Sequence, residues 1–308
     1  MVVSSQASTF AGRPIEQWDN EIGIQNADAA IRVGLDYDAW EDGTKLPDLL
    51  SELCEDPKAP QIKALVIGAW SFEPEDGASE LYARLASPEI VARLSSLRAL
   101  FVGDITGEEC EISWITQSDV GPVLRAYPAL EVLQVRGGNS LALSDLSSPA
   151  LVKLVIETGG LPRSCIESVC NAKLPNLAHL ELWLGSENYG ADHSVDDLMP
   201  LLSGRLFPKL RYLGLRDSEY SDEIARVIAD APVLSQLETL DLSMGTLGDE
   251  GAEALLASPQ IAKLATLDVS HHYMSDAMVK RLASIGPRLL SSEPQGADSN
   301  RRYIQVSE

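Results

Sequence analysis

Basic residues, histidine and cysteine are all scarce in this 308-residue chain, and each scarcity excludes something. Lys and Arg number 24 against 46 Asp and Glu, a formal net charge of −22. A surface this acidic repels phosphate backbones, so no nucleic-acid partner is expected. The acidity fits either a solvated exterior or the complement of a basic protein, and charge alone does not separate the two. No run of 18 apolar residues occurs, which leaves no candidate membrane span. The opening MVVSSQASTFAGRP lacks a basic segment followed by a long apolar one, so no secretory signal is expected and the location is read as cytoplasmic. Four cysteines (Cys54, Cys110, Cys165, Cys170) are too few for a disulfide framework and fit buried thiols in a reducing compartment. Cys165 and Cys170 have no matching Cys/His pair, so no zinc site is expected.

The motifs of common chemistries are missing too. There is no G-x-S-x-G, phosphate loop, H-E-x-x-H or dinucleotide fingerprint. The only histidines are His179, His193, His271 and His272. The adjacent pair would point to opposite faces of a strand, and only a turn would let both reach one ion. Cys165 with a distant His as base has nothing to support it. The expectation is a non-enzymatic protein without cofactor or metal.

What the chain has in quantity is leucine at a fixed spacing. Leu237, Leu240 and Leu242 form L-x-x-L-x-L, and Leu264, Leu267 and Val269 repeat it 27 residues later. Between them, GDEGAEALLASP reads as a helix. Asp249 and Glu250 suit its N-terminus, Ala252, Leu255 and Leu256 its inner face, and Pro259 its end. The same triplet occurs eight times, with middle residues Leu65, Leu100, Leu133, Leu154, Leu180, Leu213, Leu240 and Leu267. Leucine-rich repeats run roughly 20–29 residues. Intervals of 33 and 35 residues therefore carry insertions, and the interval of 21 has lost most of its helix. The predicted fold class is α/β: a right-handed leucine-rich-repeat solenoid, or horseshoe, of about eight coils with a parallel sheet on the concave face. An ordinary α/β sheet with a similar pattern is the alternative.

Along the chain, residues 1–60 do not fit the repeat and are read as an N-terminal cap, with a strand near 30–36 and a helix near 45–54 capped by Thr44. Residues 61–287 hold the repeats. Within them, Cys110, Ile112 and Trp114 alternate with polar residues as a strand would. A helix is expected near 163–171. Ser221 is a candidate N-cap for a helix with Ile224, Val227 and Ile228 inward. Residues 288–308 read as a flexible tail, with RRYIQVSE a possible terminal edge strand. One structural domain is expected overall.

The run LETLDLSMGTLGDEGAEALLASP resembles ribonuclease-inhibitor-like leucine-rich repeats. The stretches LVIGAW, FVGDITGEECEISWITQSDV, VRGG, LELWLGSENYG and YIQVSE resemble a family of bacterial leucine-rich-repeat proteins. That resemblance implies a fold and a compartment and names no activity. Ribonuclease-inhibitor-like repeats usually carry Asn or Cys three residues past the triplet. Here that position holds Gly138, Gly159, Gly185 and Gly245, and once His272. An internal Asn ladder is therefore not expected, and the turns must satisfy their backbone groups otherwise.

Residues flanking the middle leucine point away from the core, onto the concave sheet. At the N-terminal end they are small and apolar: Ala64, Ala99, Val66. Further on they include Arg136, His179, Glu181, Trp183, Tyr212, Arg216, Asp241 and Asp268. Exposed aromatics beside arginines are typical of binding hot spots, and insertions or caps covering this face are the alternative. Asp241 and Asp268 should be neighbours whose repulsion is relieved by screening, by a partner's basic group, or by Arg301 or Arg302 folding back. The function expected is a binding or scaffold protein that takes an unidentified protein on the concave face, a basic one being the kind the acidic charge suits. The alternatives are a regulator of a nucleotide hydrolase, since similar repeat proteins activate GTPases, and an enzyme using a carboxylate pair.

Overall fold

The computed structural model describes residues 5–297 and 301–307. Among them, short strands alternate with helices, giving an α/β fold whose strands pair mostly in parallel and in chain order. The chain divides into two compact units. One holds the residues up to Ile156 with Asn171–Leu174; the other holds Glu157–Cys170 and Pro175–Ser307.

The first unit opens on an antiparallel hairpin of β1 (Thr9–Phe10) and β2 (Arg13–Gln17). Its two turn residues, Ala11 and Gly12, both have positive φ, as the tightest hairpin turns require. From β2 onward the pairing is parallel, through β3 (Ala30–Val33), β4 (Ala64–Ile67), β5 (Ala99–Val102) and β6 (Val132–Arg136). The strand β7 (Lys153–Glu157), which carries Leu154, follows. Ile31, Leu65, Leu100 and Leu133 are direct partners, and all four are buried. The triplet thus marks the rungs of a parallel ladder.

Residues before 60 therefore contribute rungs of their own. The triplet pattern misses Ile31 because Asp28 stands where the first leucine would be, with its carboxylate at the surface bonded to Lys63 Nζ at 2.8 Å. The helix expected near 45–54 is Leu46–Glu55, with Leu46, Leu50, Leu53 and Cys54 buried. Its N-cap is Lys45 rather than Thr44, and Pro47 in its first turn needs no N–H there. The strand expected around Cys110–Trp114 is a 3-10 turn at Ile112–Trp114 instead. Its backbone bonds locally, Trp114 N to Glu111 O at 2.9 Å, and only Ile112 turns inward.

In the second unit the ladder runs through β8 (His179–Gly185), β9 (Tyr212–Ser218), β10 (Thr239–Asp241), β11 (Thr266–Asp268) and β12 (Arg288–Leu290). Leu180, Leu213, Leu240, Leu267 and Leu289 are in register. The terminal edge strand is thus at Arg288–Leu290, not in the YIQVS segment, because Leu289 already supplies the last apolar rung. Residues 301–307 instead form an irregular strap with Ile304 and Val306 buried. Residues 298–300 of the expected flexible stretch, and residue 308, lie outside the described residues. The expected helices are at Arg163–Cys170, Ser221–Ile228 and Asp249–Ala257. Ser221 is the first helical residue rather than the N-cap, and its hydroxyl donates to Ser218 O at 2.8 Å. Ala225, not Val227, joins Ile224 and Ile228 in the core.

The turns replace the missing Asn ladder in two ways. At Gly185 the backbone has φ +71°, and a Cβ would collide with Gly159 O, so only glycine fits. Further along, carboxylates at helix starts reach across to the next coil. Asp222 Oδ1 accepts from Gly248 N at 2.7 Å and Gly251 N at 3.2 Å. Asp249 accepts from Ser275 N at 2.7 Å and Ser275 Oγ at 2.8 Å. Each places a negative charge at a helix start, where the dipole favours it.

Candidate functional site

The second unit brings together most of the residues singled out from the sequence. On β8 and β9, His179 faces Tyr212 and Trp183 faces Arg216 across the ladder. Glu181 and Asp241 flank Gly214 in the row between them. The His179 and Tyr212 rings are stacked, with centroids 3.8 Å apart and planes within 4°. The Arg216 guanidinium lies 5.3 Å above the Trp183 ring, a cation–π pair. A Cβ at Gly214 would stand 3.1 Å from the Tyr212 ring and 3.2 Å from Glu181, so the missing side chain makes room for both.

Arg216 is clamped by two carboxylates. Its Nη1 donates to Glu181 Oε1, and its Nε donates to Ser243 Oγ at 2.9 Å and lies 3.3 Å from Asp241 Oδ2. Trp183 Nε1 donates to Glu181 Oε1 at 2.9 Å, and His179 Nε2 is 3.3 Å from Glu181 Oε2. Tyr212 donates to Asp241 Oδ2 at 2.6 Å, and Ser243 N to Asp241 Oδ1 at 2.9 Å. Burial pushes the Glu181 carboxyl up, but hydrogen bonds from His179 and Trp183 and the charge of Arg216 outweigh it and hold the group down at about 2. Burial leaves Asp241 above the usual carboxylate range despite Arg216. It also raises Tyr212, helped by both carboxylates; the same carboxylates raise Arg216 against its burial. The cluster is a closed network with its own donors on its own acceptors.

That closure corrects two expectations. Trp183 is only 8% exposed and lies under Arg216, so it forms the floor of the site and not an exposed anchor. Asp241 and Asp268 are neighbours as expected. The cation beside Asp241 is Arg216, and Arg302 of the tail pairs with Asp222 at 2.7 Å instead. Asp268, half-buried, accepts from Ser270 N at 2.9 Å. Ser243 was missed because nothing in LDLS distinguishes a serine that binds an arginine from a turn residue.

Arg136 belongs to the first unit and sits in a different network. It is 6% exposed, lies 5.2 Å over Phe101 and donates to Ile105 O at 3.1 Å. Its Nη1 is 3.7 Å from the fully buried Asp104. Asp104 also accepts from Arg32 Nε at 3.2 Å and Ala7 N at 3.0 Å. The one signal for this group in the sequence was a lone arginine inside the apolar strand AIRV. The small residues Ala30, Ala64 and Ala99 leave room above the sheet, and Phe10 of the hairpin fills it, 5.7 Å from Phe101. The apolar part of the face is therefore covered by the chain's own N-terminal segment.

The remaining candidates offer little chemistry. Among the described residues no group of three His, Cys, Asp or Glu is placed to hold a metal ion. His271 Nε2 faces Tyr303 O at 3.1 Å and His272 Nε2 faces Ser291 O at 3.4 Å, so the two rings turn to separate backbone partners. Burial pushes the thiols of Cys54 and Cys170 up to about 11 and that of Cys165 to about 12, the reverse of an activated nucleophile. No helix among the described residues is long and apolar enough to cross a membrane.

A scan against protein-family models matches none, and a search of curated proteins finds no match. Among solved structures, an internalin from Listeria monocytogenes aligns at 18% identity over 82% of this chain and 57% of that one. Its TM-score is 0.39, too low to equate the folds. A protein from Bacteroides fragilis, solved by a structural genomics consortium, aligns far better. It has 36% identity and a TM-score of 0.80, covering 90% of this chain and 76% of that one. With that identity over most of both chains, the chain belongs to the same family as the Bacteroides fragilis protein.

Proposed function

We propose that this is a non-catalytic protein-interaction scaffold, a leucine-rich-repeat solenoid of about eight right-handed coils related in type to the ribonuclease-inhibitor-like repeats. Its partner meets the sheet face of the second unit, at the His179–Tyr212 stack and the Arg216 guanidinium. The observation that carries this reading is the side-by-side placement of a stacked aromatic pair and a cation–π pair on two adjacent strands. Glu181 and Asp241 already hold these groups, so little side-chain freedom remains to be lost on binding. A carboxylate-pair enzyme fits less well, because Asp241 is already engaged by Arg216, Tyr212 and Ser243. Buried thiols suit a reducing, cytoplasmic setting.

The test is photo-crosslinking from position 179 in native lysate, with mass spectrometry to identify the captured protein. Its affinity is then measured for wild type and for Tyr212→Ala. A captured protein that loses about ten-fold or more in affinity with Tyr212→Ala supports the reading. Unchanged affinity removes the sheet face as its site.

A further inference from the structure

The first unit carries a second surface of different chemistry. Parallel strands β3, β4 and β5 are consecutive neighbours, so the segments that leave their C-terminal ends gather at one edge of that unit. These segments are residues 34–44, 68–80 and 103–117. None carries Lys or Arg; the first two carry four Asp or Glu each, and the third carries Glu108, Glu109 and Glu111 besides the buried, arginine-bound Asp104. They also hold three of the chain's five tryptophans: Trp40, Trp70 and Trp114.

Three aromatic rings meet there. Tyr37 lies 5.6 Å from Trp40 and 5.5 Å from Phe72, and Trp40 lies 5.8 Å from Phe72. The helix Tyr37–Glu41 buries none of its residues, and Tyr37 is 54% exposed. It is nevertheless fixed, because its N-cap Asp36 accepts from Ala39 N at 2.8 Å. The neighbouring loop is also tied down: Trp70 Nε1 donates to Asp76 O at 3.0 Å and Ser71 Oγ to Asp76 Oδ2 at 2.7 Å. The three rings stand as a ridge between two clefts. One is bordered by Asp36, Glu108 and Glu109, the other by Trp70, Glu75 and Asp76. Lys45 stands on the rim of the second cleft, 3.8 Å from Glu80.

We infer that this ridge and its acidic clefts dock an arginine- or lysine-rich segment of a partner polypeptide. Open aromatic faces attract guanidinium and ammonium groups, and carboxylates on either side supply the counter-charges. A second copy of this chain, at −22, would be repelled. The surface is separate from the sheet face proposed above, so either can fail alone.

The test uses the full chain and a fluorescein-labelled nona-arginine amide as probe, read by anisotropy at about 0.15 M salt, where long-range attraction is screened. Wild type is compared with Tyr37→Ala, Phe72→Ala and the sheet-face variant His179→Ala. Tyr37→Ala and Phe72→Ala keep the charge, and removing one ring should weaken binding about two- to five-fold. His179→Ala should bind as wild type does. Equal binding by wild type, Tyr37→Ala and Phe72→Ala would mean that bulk charge alone holds the peptide, and the inference falls. It also falls if His179→Ala is the variant that loses the peptide. Because Tyr37 is largely exposed, Tyr37→Ala should melt as wild type does, which keeps a loss of binding from being read as unfolding.

Discussion

Both units place an arginine on the sheet face against a buried carboxylate, and they use it in opposite ways. In the first unit, Arg32 and Arg136 converge on one acid, Asp104, under a lid of Phe10 and Ala7. In the second unit, one arginine, Arg216, is shared by two acids, Glu181 and Asp241, and is left partly exposed. The leucine rungs beneath are the same. The difference comes from the flanking columns: alanine in the first unit, and His179, Glu181, Trp183 and Tyr212 in the second. An apolar flank needs a cover, which the hairpin provides. A polar flank satisfies itself and stays open. The repeat therefore decides where the sheet is, and the residues between the leucines decide whether its face is free.

The comparison breaks most sharply at the arginines. Arg216→Ala would leave Glu181 and Asp241 buried with their remaining donors but without the arginine they share, and removing one partner of such a pair costs about 3–5 kcal/mol. Arg136→Ala leaves Asp104 still bonded by Arg32 and Ala7 N, and should cost less, about 1–3 kcal/mol. Urea unfolding of both variants checks this. Equal losses would mean that the number of donors on the acid does not matter.

Phe10→Ala comes next. It uncovers the alanine column and should cost about 3 kcal/mol, the low end for a buried Phe because the ring sits at the edge of its cluster. The first unit should then bind an apolar dye that wild type excludes. Unchanged stability with no dye binding would show that Phe10 does not serve as the cover.

How much of this was legible depended on which signals are local. The rungs were readable because Leu65, Leu100, Leu133 and their successors repeat one spacing. Ile31 and Leu289 were not. Ile31 faces Glu16 of β2 on one side rather than an apolar rung, and Leu289 lies on a last strand paired on one side only, so Asp28 and Ser291 can stand where the pattern asks for leucine. The second-unit site was readable as a list of residues in columns, but its closure was not. Whether Trp183 is open or covered depends on the rotamer of Arg216, which spacing does not encode. The cover over the first unit was equally hidden, since Phe10 acts on Phe101 across ninety-one positions of sequence.

The strap at the C-terminus extends the comparison to pH. Asp217 is fully buried, its Oδ1 accepts from Val306 N at 3.0 Å, and its Oδ2 has no partner among the described residues. Burial pushes this carboxyl up to about 8, against an unfolded value of about 3.9. Between those values the folded state binds a proton that the unfolded state releases. The contribution is therefore present below about pH 4 and is lost as pH rises toward 8, with a slope of at most about 1.4 kcal/mol per pH unit. His193 and His272, both lowered chiefly by burial, act with the opposite sign near neutrality. The difference between wild type and Asp217→Asn isolates the carboxyl. Asn keeps the acceptor for Val306 N and tolerates the φ of +54° at this position. Melting curves between pH 5 and 8 should fall more steeply for wild type; parallel curves would show that Asp217 is not protonated under the strap.

The smallest effect expected is at Arg302, the strap's charged anchor. Its Nη1 donates to Asp222 Oδ2 at 2.7 Å and to Thr246 O at 3.1 Å, and its guanidinium lies 5.9 Å over Tyr273. On a list of contacts this resembles Arg216. The difference lies in what the carboxylate keeps when the arginine goes. Asp222 still accepts from Gly248 N and Gly251 N and still sits at a helix start. The Arg302 side chain is also 34% exposed, so solvent screens the pair. Arg302→Ala should cost about 0.2–1 kcal/mol, with the strap held by Ile304 and Val306 in their buried seats. Hydrogen exchange at Gln305 and Val306, whose amides bond to Met244 O and Asp217, reads this directly. Protection should survive in Arg302→Ala and fall in Ile304→Ala. If Arg302→Ala alone frees both amides, the strap is held by charge rather than burial, and its contrast with Arg216 disappears.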